Sequence, residues 1–492
     1  MSNDPARPSG SPAPPAPSTQ LELRRNDLII IPPPDLRAHP PQTLLHALVG
    51  TVAAAELDQF VAYDARLRAL RALPLHFAAI KAALLAAAAF PLRVAFEELP
   101  ALPAPLQVSL APRPYQQAAL VAWRAEGSRG VVVLPTGSGK TLVGALAIAE
   151  TGLWALVVVP TIDLLAQWRA ALAQALALPA TEIGVIGGGE HALLPITIIT
   201  YESATLYPQL LNRFGLLIFD ECHHLPAPTY RRIAEGAFTP RRLGLSATPE
   251  RADQEHLALA RLVGPEVYRR EPEDLTAERY LAAYDVERLP VVLTPDERER
   301  YDQARAVYHE FIRQRHLSIR SPQDFQRKIL WASARDPAAR TAMLAWREAR
   351  ALALSAPAKL VLLEELFARH QQERVLVFSE YNTLVVEVSR RFCLPCITYK
   401  TAAEERRLIL ERFHSGQYSK LVSGRVLNEG VDIPDCRVAI IISGNATRRE
   451  YVQRLGRILR PKAARAVLYE LVTLDTTDED VADRRGHRTL ER

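Results

Sequence analysis

The stretch from Val131 to Thr141, VVVLPTGSGKT, constrains this chain more than any other, because an apolar β-type segment runs straight into two glycines and then into Lys140 and Thr141. A phosphate-binding turn at a helix start needs that order: backbone N–H groups cradle phosphate, a lysine reaches the terminal phosphates, and a hydroxyl helps to hold Mg²⁺. Leu134 stands where the G-x-x-x-x-G-K-[ST] pattern has its first glycine. The stretch predicts an NTP site built from Thr136, Gly137, Ser138, Gly139, Lys140 and Thr141 at the end of a buried strand.

With 492 residues, 48% of them hydrophobic and 23% charged, the chain has material for several packed domains. Of its 60 basic residues only seven are lysines, and the formal net charge is +5. This arginine excess suits phosphate-bearing partners and equally suits a compositional bias of the source. Four cysteines exclude a disulfide scaffold and fit a reducing, cytoplasmic setting. Cys393 and Cys396 form one C-x-x-C without a second pair; flanked by Phe392, Leu394 and Ile397, they are expected to be packing residues. The longest apolar run, Ala82 to Phe90, is too short to span a bilayer, so no membrane role is expected.

The predicted fold class is α/β: two tandem doubly wound parallel-sheet domains, with a helical insertion and a small N-terminal domain. Residues 1–20, rich in Pro, Ala and Ser, are expected to be a flexible tail. Residues 21–106 mix the run Leu28 to Ile31 with helical patterns from Thr43 and from His76, and Arg66, Arg68 and Arg71 there suit either nucleic acid or a solvated face. Residues 107–275 carry apolar runs at Val131–Leu134, Leu156–Val159, Ile196–Ile199, Leu216–Phe219 and Leu243–Leu245, as buried parallel strands require. Residues 356–475 carry a second series, at Val375–Phe378, Cys396–Thr398, Leu421–Val422, Val438–Ile442 and Val467–Val472.

Between these halves, residues 276–355 form a linker and a basic insertion. Tyr301, Ala304, Tyr308 and Phe311 recur there at helical spacing, among many arginines that include Arg313, Arg315 and Arg320. A phosphate-facing arm and an ordinary charged helix both fit. Residues 476–492 are polar and expected to fray.

Asp220-Glu221-Cys222-His223 follows an apolar strand, so one carboxylate can hold the Mg²⁺ shell while the other orients and deprotonates an attacking water. His223 and His224, adjacent in sequence, are expected to point apart. In the second half, Arg457 and Arg460 lie three apart on one helical pattern, suited to stabilising charge on a γ-phosphate as fingers supplied in cis. Thr161, Gln167, Thr200, Ser379 and Ser423 lie at strand ends, where short polar groups can hold a nucleic-acid backbone without reading bases.

Arg113-Pro114-Tyr115-Gln116, the phosphate loop, Pro160-Thr161, Thr200 to Ser203, the Asp220 box, Ser246-Ala247-Thr248, Phe378-Ser379, Gly430 to Pro434 and Gln453 to Arg460 stand in the order of the superfamily 2 helicases, which the chain resembles over about residues 108–472. Its Asp-Glu-Cys-His-His-Leu-Pro run, Leu455 to Pro461 and the thumb-like basic insertion resemble the archaeal-type XPB DNA repair helicases. The resemblance implies two RecA-like domains, ATP and Mg²⁺ as cofactors, single-stranded or forked duplex DNA as partner, 3′ to 5′ movement, and a partner nuclease or repair protein.

It further implies that Arg113 and Gln116 contact adenine and that Asp432 lies on the ATP side of the cleft. His223 and Gln453 would communicate between domains, and Ser246 and Thr248 would link hydrolysis to strand movement. Tyr63 to Leu99 weakly resembles the family's damage-recognition domain. One departure stands out: where the family has Arg-Glu-Asp, this chain has Arg251-Ala252-Asp253.

Overall fold

The computed structural model describes residues 17–24, 26–96, 99–251, 253–278, 280, 284–319, 322–424, 436–444 and 466–484. Its contacts divide the chain into two compact units, Met1–Val132 with Thr141–Tyr268, and Val133–Lys140 with Arg269–Arg492.

The first unit opens on a small sheet of β1 (Thr19–Arg24), β2 (Asp27–Ile31), β3 (Val61–Asp64), β4 (Ala69–Ala72) and β5 (Leu92–Val94), in the order β3-β4-β2-β1-β5. β1 begins at Thr19, so the last two residues of the stretch 1–20, expected to be a flexible tail, belong to a strand. Helices Pro41–Val49 and Phe77–Ala87 cover it through Leu44, Leu48, Phe77, Ile80 and Leu84. Phe238, from the larger layer of the same unit, closes this core: its ring lies 5.5 Å from Phe77 and 5.0 Å from Phe96, edge-on to both. Aromatic pairs at such angles add to the area they bury, so the small domain is seated by apolar contact.

The second sheet contains β6 (Arg129–Val133), β7 (Ala155–Val159), β8 (Ile183–Gly187), β9 (Glu190–His191), β10 (Ile196–Thr200), β11 (Leu216–Asp220), β12 (Arg241–Ser246) and β13 (Glu266–Arg269). Its order is β13-β6-β12-β11-β7-β10-β8-β9, and β8, β10, β7, β11 and β12 pair in parallel. β7, β10 and β11 are buried along their whole length, which is why they read as unbroken apolar runs. Polar motifs gather where the strands end, the usual ligand side of such sheets.

The third sheet belongs to the second unit: β14 (Tyr284–Val291), β15 (Val375–Ser379), β16 (Cys396–Ile397), β17 (Lys420–Ser423), β18 (Val438–Ser443) and β19 (Ala466–Thr473), in the order β14-β19-β18-β15-β17-β16. Every described pairing in it is parallel. The basic insertion contains two long helices, Pro295–Gln314 and Pro337–Leu354, joined by a segment that includes a π-helical turn at Gln326–Leu330. Thr294 and Glu297 form a capping box at the first helix, Thr294 N–H donating to the Glu297 carboxylate at 2.8 Å. Phe311, Ile329, Ala339, Ala342 and Met343 make a separate apolar cluster between these pieces.

Three sequence expectations are corrected. Residues 476–484 do not fray: Thr477–Arg484 is a helix, and buried Asp478 meets buried Lys359 at 2.6 Å while Lys359 also donates to the Ile442 carbonyl at 2.7 Å. Cys393 is exposed rather than packed, because it takes the left-handed position (φ 52°) that ends the helix Asn382–Phe392, whereas Cys396 does pack on the core. His223 and His224 do not point apart; their rings lie 4.3 Å from each other on a short 3₁₀ turn. Among the described residues, no helix is long and apolar enough to cross a membrane.

Candidate ATP site and nucleic-acid surface

The loop after β6 is wound tightly on itself. Gly137 and Gly139 have φ of 82° and 83°, positions that a side-chain-bearing residue adopts only with strain. Ser138 Oγ donates to the Pro135 carbonyl at 2.7 Å, and Lys140 Nζ to the Leu134 carbonyl at 3.3 Å. Thr136 Oγ1 is buried in this loop with no hydrogen-bond partner among the described residues. A buried hydroxyl so placed costs free energy unless something polar meets it, so the loop fits a phosphate group. Lys140 and Thr141 begin the helix Lys140–Thr151, as the motif requires.

Asp220 ends β11, one strand removed from β6 in the sheet. Its carboxylate is held by a residue the sequence reading did not single out: Trp168 Nε1–H donates to Asp220 Oδ2 at 2.7 Å, and both side chains are buried. Tyr201 O–H donates to the Asp220 backbone carbonyl at 3.1 Å. Burial, reinforced by Cys222, Asp220 and Glu221, pushes the Tyr201 phenol well up, so it stays a donor. A carboxylate fixed in this way fits Mg²⁺, which binds through one or two carboxylates and keeps several waters. Trp168 lies in the helix Ile162–Leu176, beneath Thr161, which caps that helix by accepting from Leu164 N–H. Only its place near a candidate motif could have marked it, since a lone tryptophan in an apolar helix reads as core.

Glu221 has left-handed backbone (φ 45°), unusual for a residue with a Cβ, and this turns its side chain out of the strand line at the head of the 3₁₀ turn Cys222–His224. Its Oε2 lies 3.4 Å from both His223 Nδ1 and Ser246 Oγ, and His223 Nδ1 lies 3.2 Å from Ser246 Oγ. Ser246 Oγ in turn accepts from Thr248 N–H at 3.2 Å. The carboxylate expected to act on water is thus in one hydrogen-bonded cluster with the Ser246-Ala247-Thr248 segment. Arg251 extends that cluster: Nη1 donates to the His223 carbonyl at 3.0 Å, while Nη2 meets Asp253 at 2.6 Å and Glu255 at 3.4 Å. The hydrogen bond from Arg251 holds the Asp253 carboxyl down at about 2.

Arg113 N–H donates to Gln116 Oε1 at 2.8 Å, which seats buried Gln116 at the start of the helix Pro114–Ala125 and fixes its carboxamide. The strand-end residues divide. Thr161 and Gln167 are half-buried, whereas Thr200, Ser379 and Ser423 are buried, with hydroxyls turned to Ser203, to Ser443 and Tyr381, and to the Gly424 carbonyl. Contact with a strand at those three loops would therefore fall to neighbouring backbone N–H groups. Arg313 and Arg315 are exposed and ion-paired, with Glu310 and with Asp336. Asp432, Gln453, Arg457 and Arg460 lie outside the described residues, as do Ala252 and Arg320.

Residues 109–251 match the family model described as type III restriction enzyme, res subunit, and residues 358–462 match the helicase conserved C-terminal domain. The helicase domain of Pyrococcus furiosus Hef, a crystal structure, is similar in fold alone: TM-score 0.53 at 18% identity, covering 75% of this chain and 97% of that one. In sequence the chain is 34% identical over 385 residues to the "DNA 3'-5' helicase XPB" of Kineococcus radiotolerans, covering 76% of this chain and 62% of that protein. It is 43% identical over 374 residues to the "DNA 3'-5' translocase XPB2" of Sulfurisphaera tokodaii, covering 76% of this chain and 84% of that protein. With that identity over 84% of the relative's length, the chain belongs to the XPB family of superfamily 2 helicases.

Proposed function

We propose that this XPB-family ATPase moves 3′ to 5′ along DNA, drawing on Mg²⁺-ATP held at its phosphate loop, and that it serves DNA repair inside the cell. The observation that carries the reading is the 43% identity to a protein named as a DNA 3'-5' translocase. In this reading Lys140 and Thr141 bind the phosphates, and the Thr141 hydroxyl shares the Mg²⁺ shell with Asp220, which Trp168 orients. Glu221 takes the proton of the attacking water, and Arg457 and Arg460 stabilise charge on the transferred phosphoryl group. Bound Mg²⁺ would neutralise phosphate charge; every other part of the task falls to these side chains. Arg113 and Gln116 select adenine, and Thr161, Gln167 and the loops of Thr200, Ser379 and Ser423 track the strand backbone. Asp432 contacts the nucleotide, His223 with Gln453 carries communication between the domains, and a nuclease or repair protein is the expected partner.

A second reading, a duplex translocase that does not separate strands, is favoured by one observation: Ala252 stands where the family has glutamate. The two are told apart by ATPase rates with single-stranded DNA, duplex DNA and RNA, measured beside strand displacement on 3′- and 5′-tailed duplexes. The first reading requires DNA-stimulated hydrolysis and displacement confined to 3′-tailed substrates. Stimulation by RNA alone, or displacement from 5′ tails, would overturn it.

A further inference from the structure

The basic insertion holds two tryptophans in opposite situations. Trp346 is half-buried, its ring 4.4 Å from that of Phe325 and covered by the Arg350 guanidinium at 5.2 Å. Trp331 is 62% exposed and, among the described residues, makes no ring contact. The local backbone explains its position. Gln326–Leu330 is a π-helical turn whose closing bond runs from Trp331 N–H to the Gln326 carbonyl at 2.9 Å. Within it Ile329 is fully buried in the insertion's apolar cluster, and Ser333, two residues beyond Trp331, is buried as well. Trp331 lies midway between two inward-facing positions and so projects outward. Single π-turns are frequently found at functional sites.

Two arginines stand four residues to either side of Trp331. Arg327, four residues before it, and Arg335, four residues after it, are both exposed, and Leu330 beside it is 37% exposed. An exposed tryptophan flanked by arginines pairs an aromatic face with phosphate-binding charge, the combination by which proteins hold unpaired nucleotides without regard to sequence. We propose that Trp331 is a stacking platform for one base of an unpaired nucleic-acid strand, with Arg327 and Arg335 on the phosphates to either side. This assignment rests on the reading of the protein as a DNA motor and extends it: the insertion then engages bases and not only backbone, and does so only where strands are already parted.

Trp331 is also the most exposed of the five tryptophans, so its own fluorescence reports the contact. The test titrates the full-length protein with a short oligothymidylate and with a blunt duplex, for wild type, Trp331→Ala and Trp331→Phe. Stacking lost from one base corresponds to a roughly 5- to 150-fold weaker oligothymidylate affinity for Trp331→Ala. Blunt-duplex affinity should change far less. Trp331→Phe should retain most of the affinity yet lose the oligonucleotide-dependent quenching. Wild-type affinity and undiminished quenching in the variants would overturn the platform while leaving the motor reading intact. Wild-type protein that binds neither DNA nor hydrolyses ATP faster in its presence would overturn both.

Discussion

Replacing Trp168 by phenylalanine removes one hydrogen bond at the heart of the candidate ATP site, together with part of the volume of a buried ring. The indole N–H meets Asp220 Oδ2 at 2.7 Å inside the first unit, a short charge-assisted contact between two buried groups. A hydrogen bond to a charged group contributes about 1.5–3 kcal/mol net, or roughly 10- to 150-fold, and removal of a group that orients a metal-binding carboxylate typically costs about 10–100-fold in affinity or activity. Trp168→Phe is therefore expected to lower ATP turnover, raise the Mg²⁺ needed for half-maximal rate, or both, by about 10–100-fold combined. The fold contributes a control for the lost ring volume. A Cβ on Gly144 would lie 2.8 Å from Trp168 Cη2, so the smaller phenyl leaves room there, and the double variant Trp168→Phe/Gly144→Ala refills it without restoring the donor. Turnover against Mg²⁺ concentration and thermal melting should then separate: the double variant recovers melting temperature but not turnover. Near-normal turnover and Mg²⁺ dependence in Trp168→Phe would refute the orienting role, and recovery of turnover in the double variant would show that packing, not the hydrogen bond, was responsible.

Arg457→Ala is expected to bind ATP but hydrolyse it on the order of 10³-fold more slowly, as for other fingers supplied in cis; normal single-turnover hydrolysis would remove it from the site. Neutralising Arg313 and Arg315 should weaken DNA binding and flatten the dependence of affinity on salt by nearly one unit of slope per lost phosphate contact. Because both arginines are exposed and already paired with Glu310 and Asp336, partners worth at most about 1 kcal/mol each, exchange for phosphate is inexpensive, and an unchanged salt slope would mark the helix as a solvated face. Ala252→Glu should raise strand displacement without raising ATP turnover, read on 3′-tailed duplexes; equal displacement by both proteins would show the glutamate to be dispensable here.

The central strands were legible because burial on both faces demands unbroken apolar runs. The five runs named in the first half overlap β6, β7, β10, β11 and β12, and those of the second half overlap β15 to β19. What escaped was structure fixed by distant partners. β14, YDVERLPV, mixes charge and proline because it is an edge strand hydrogen-bonded only to β19, and its Arg288 is matched by buried Glu470 at 3.2 Å. β8 carries two glycines and reads as a turn; Gly184 is needed because a Cβ there would meet the Ala192 carbonyl at 2.5 Å. The helix Thr477–Arg484 has almost no apolar pattern, and the pair that fixes it, Lys359 with Asp478, joins residues far apart in sequence.

The same limit applies within the site. Phosphate loop, carboxylates and Ser246-Ala247-Thr248 could be recognised because their chemistry requires contiguous residues, whereas Trp168 and Tyr201 act on Asp220 from separate elements. Arg251-Ala252-Asp253 shows what a motif comparison alone leaves out. Read as a string, it has lost one of two carboxylates. In the fold, Arg251 Nη2 lies near two: Asp253 at 2.6 Å and Glu255 at 3.4 Å, the latter from the 3₁₀ turn Glu255–Ala258. The opposite edge of the same guanidinium holds the His223 carbonyl, so the element is mechanically attached to the box that contains Glu221. Asp253, held near 2, contributes to this arrangement at every pH above the ordinary carboxylate range, and that contribution is lost only as pH falls through its lowered value. The charge set around Arg251 is therefore displaced rather than halved. Glu255→Ala should depress strand displacement in the natural background and do so less once Ala252→Glu has supplied a carboxylate at the family position. Equal loss in both backgrounds would mean that Glu255 is an ordinary exposed ion-pair partner, and that the departure at residue 252 stands uncompensated.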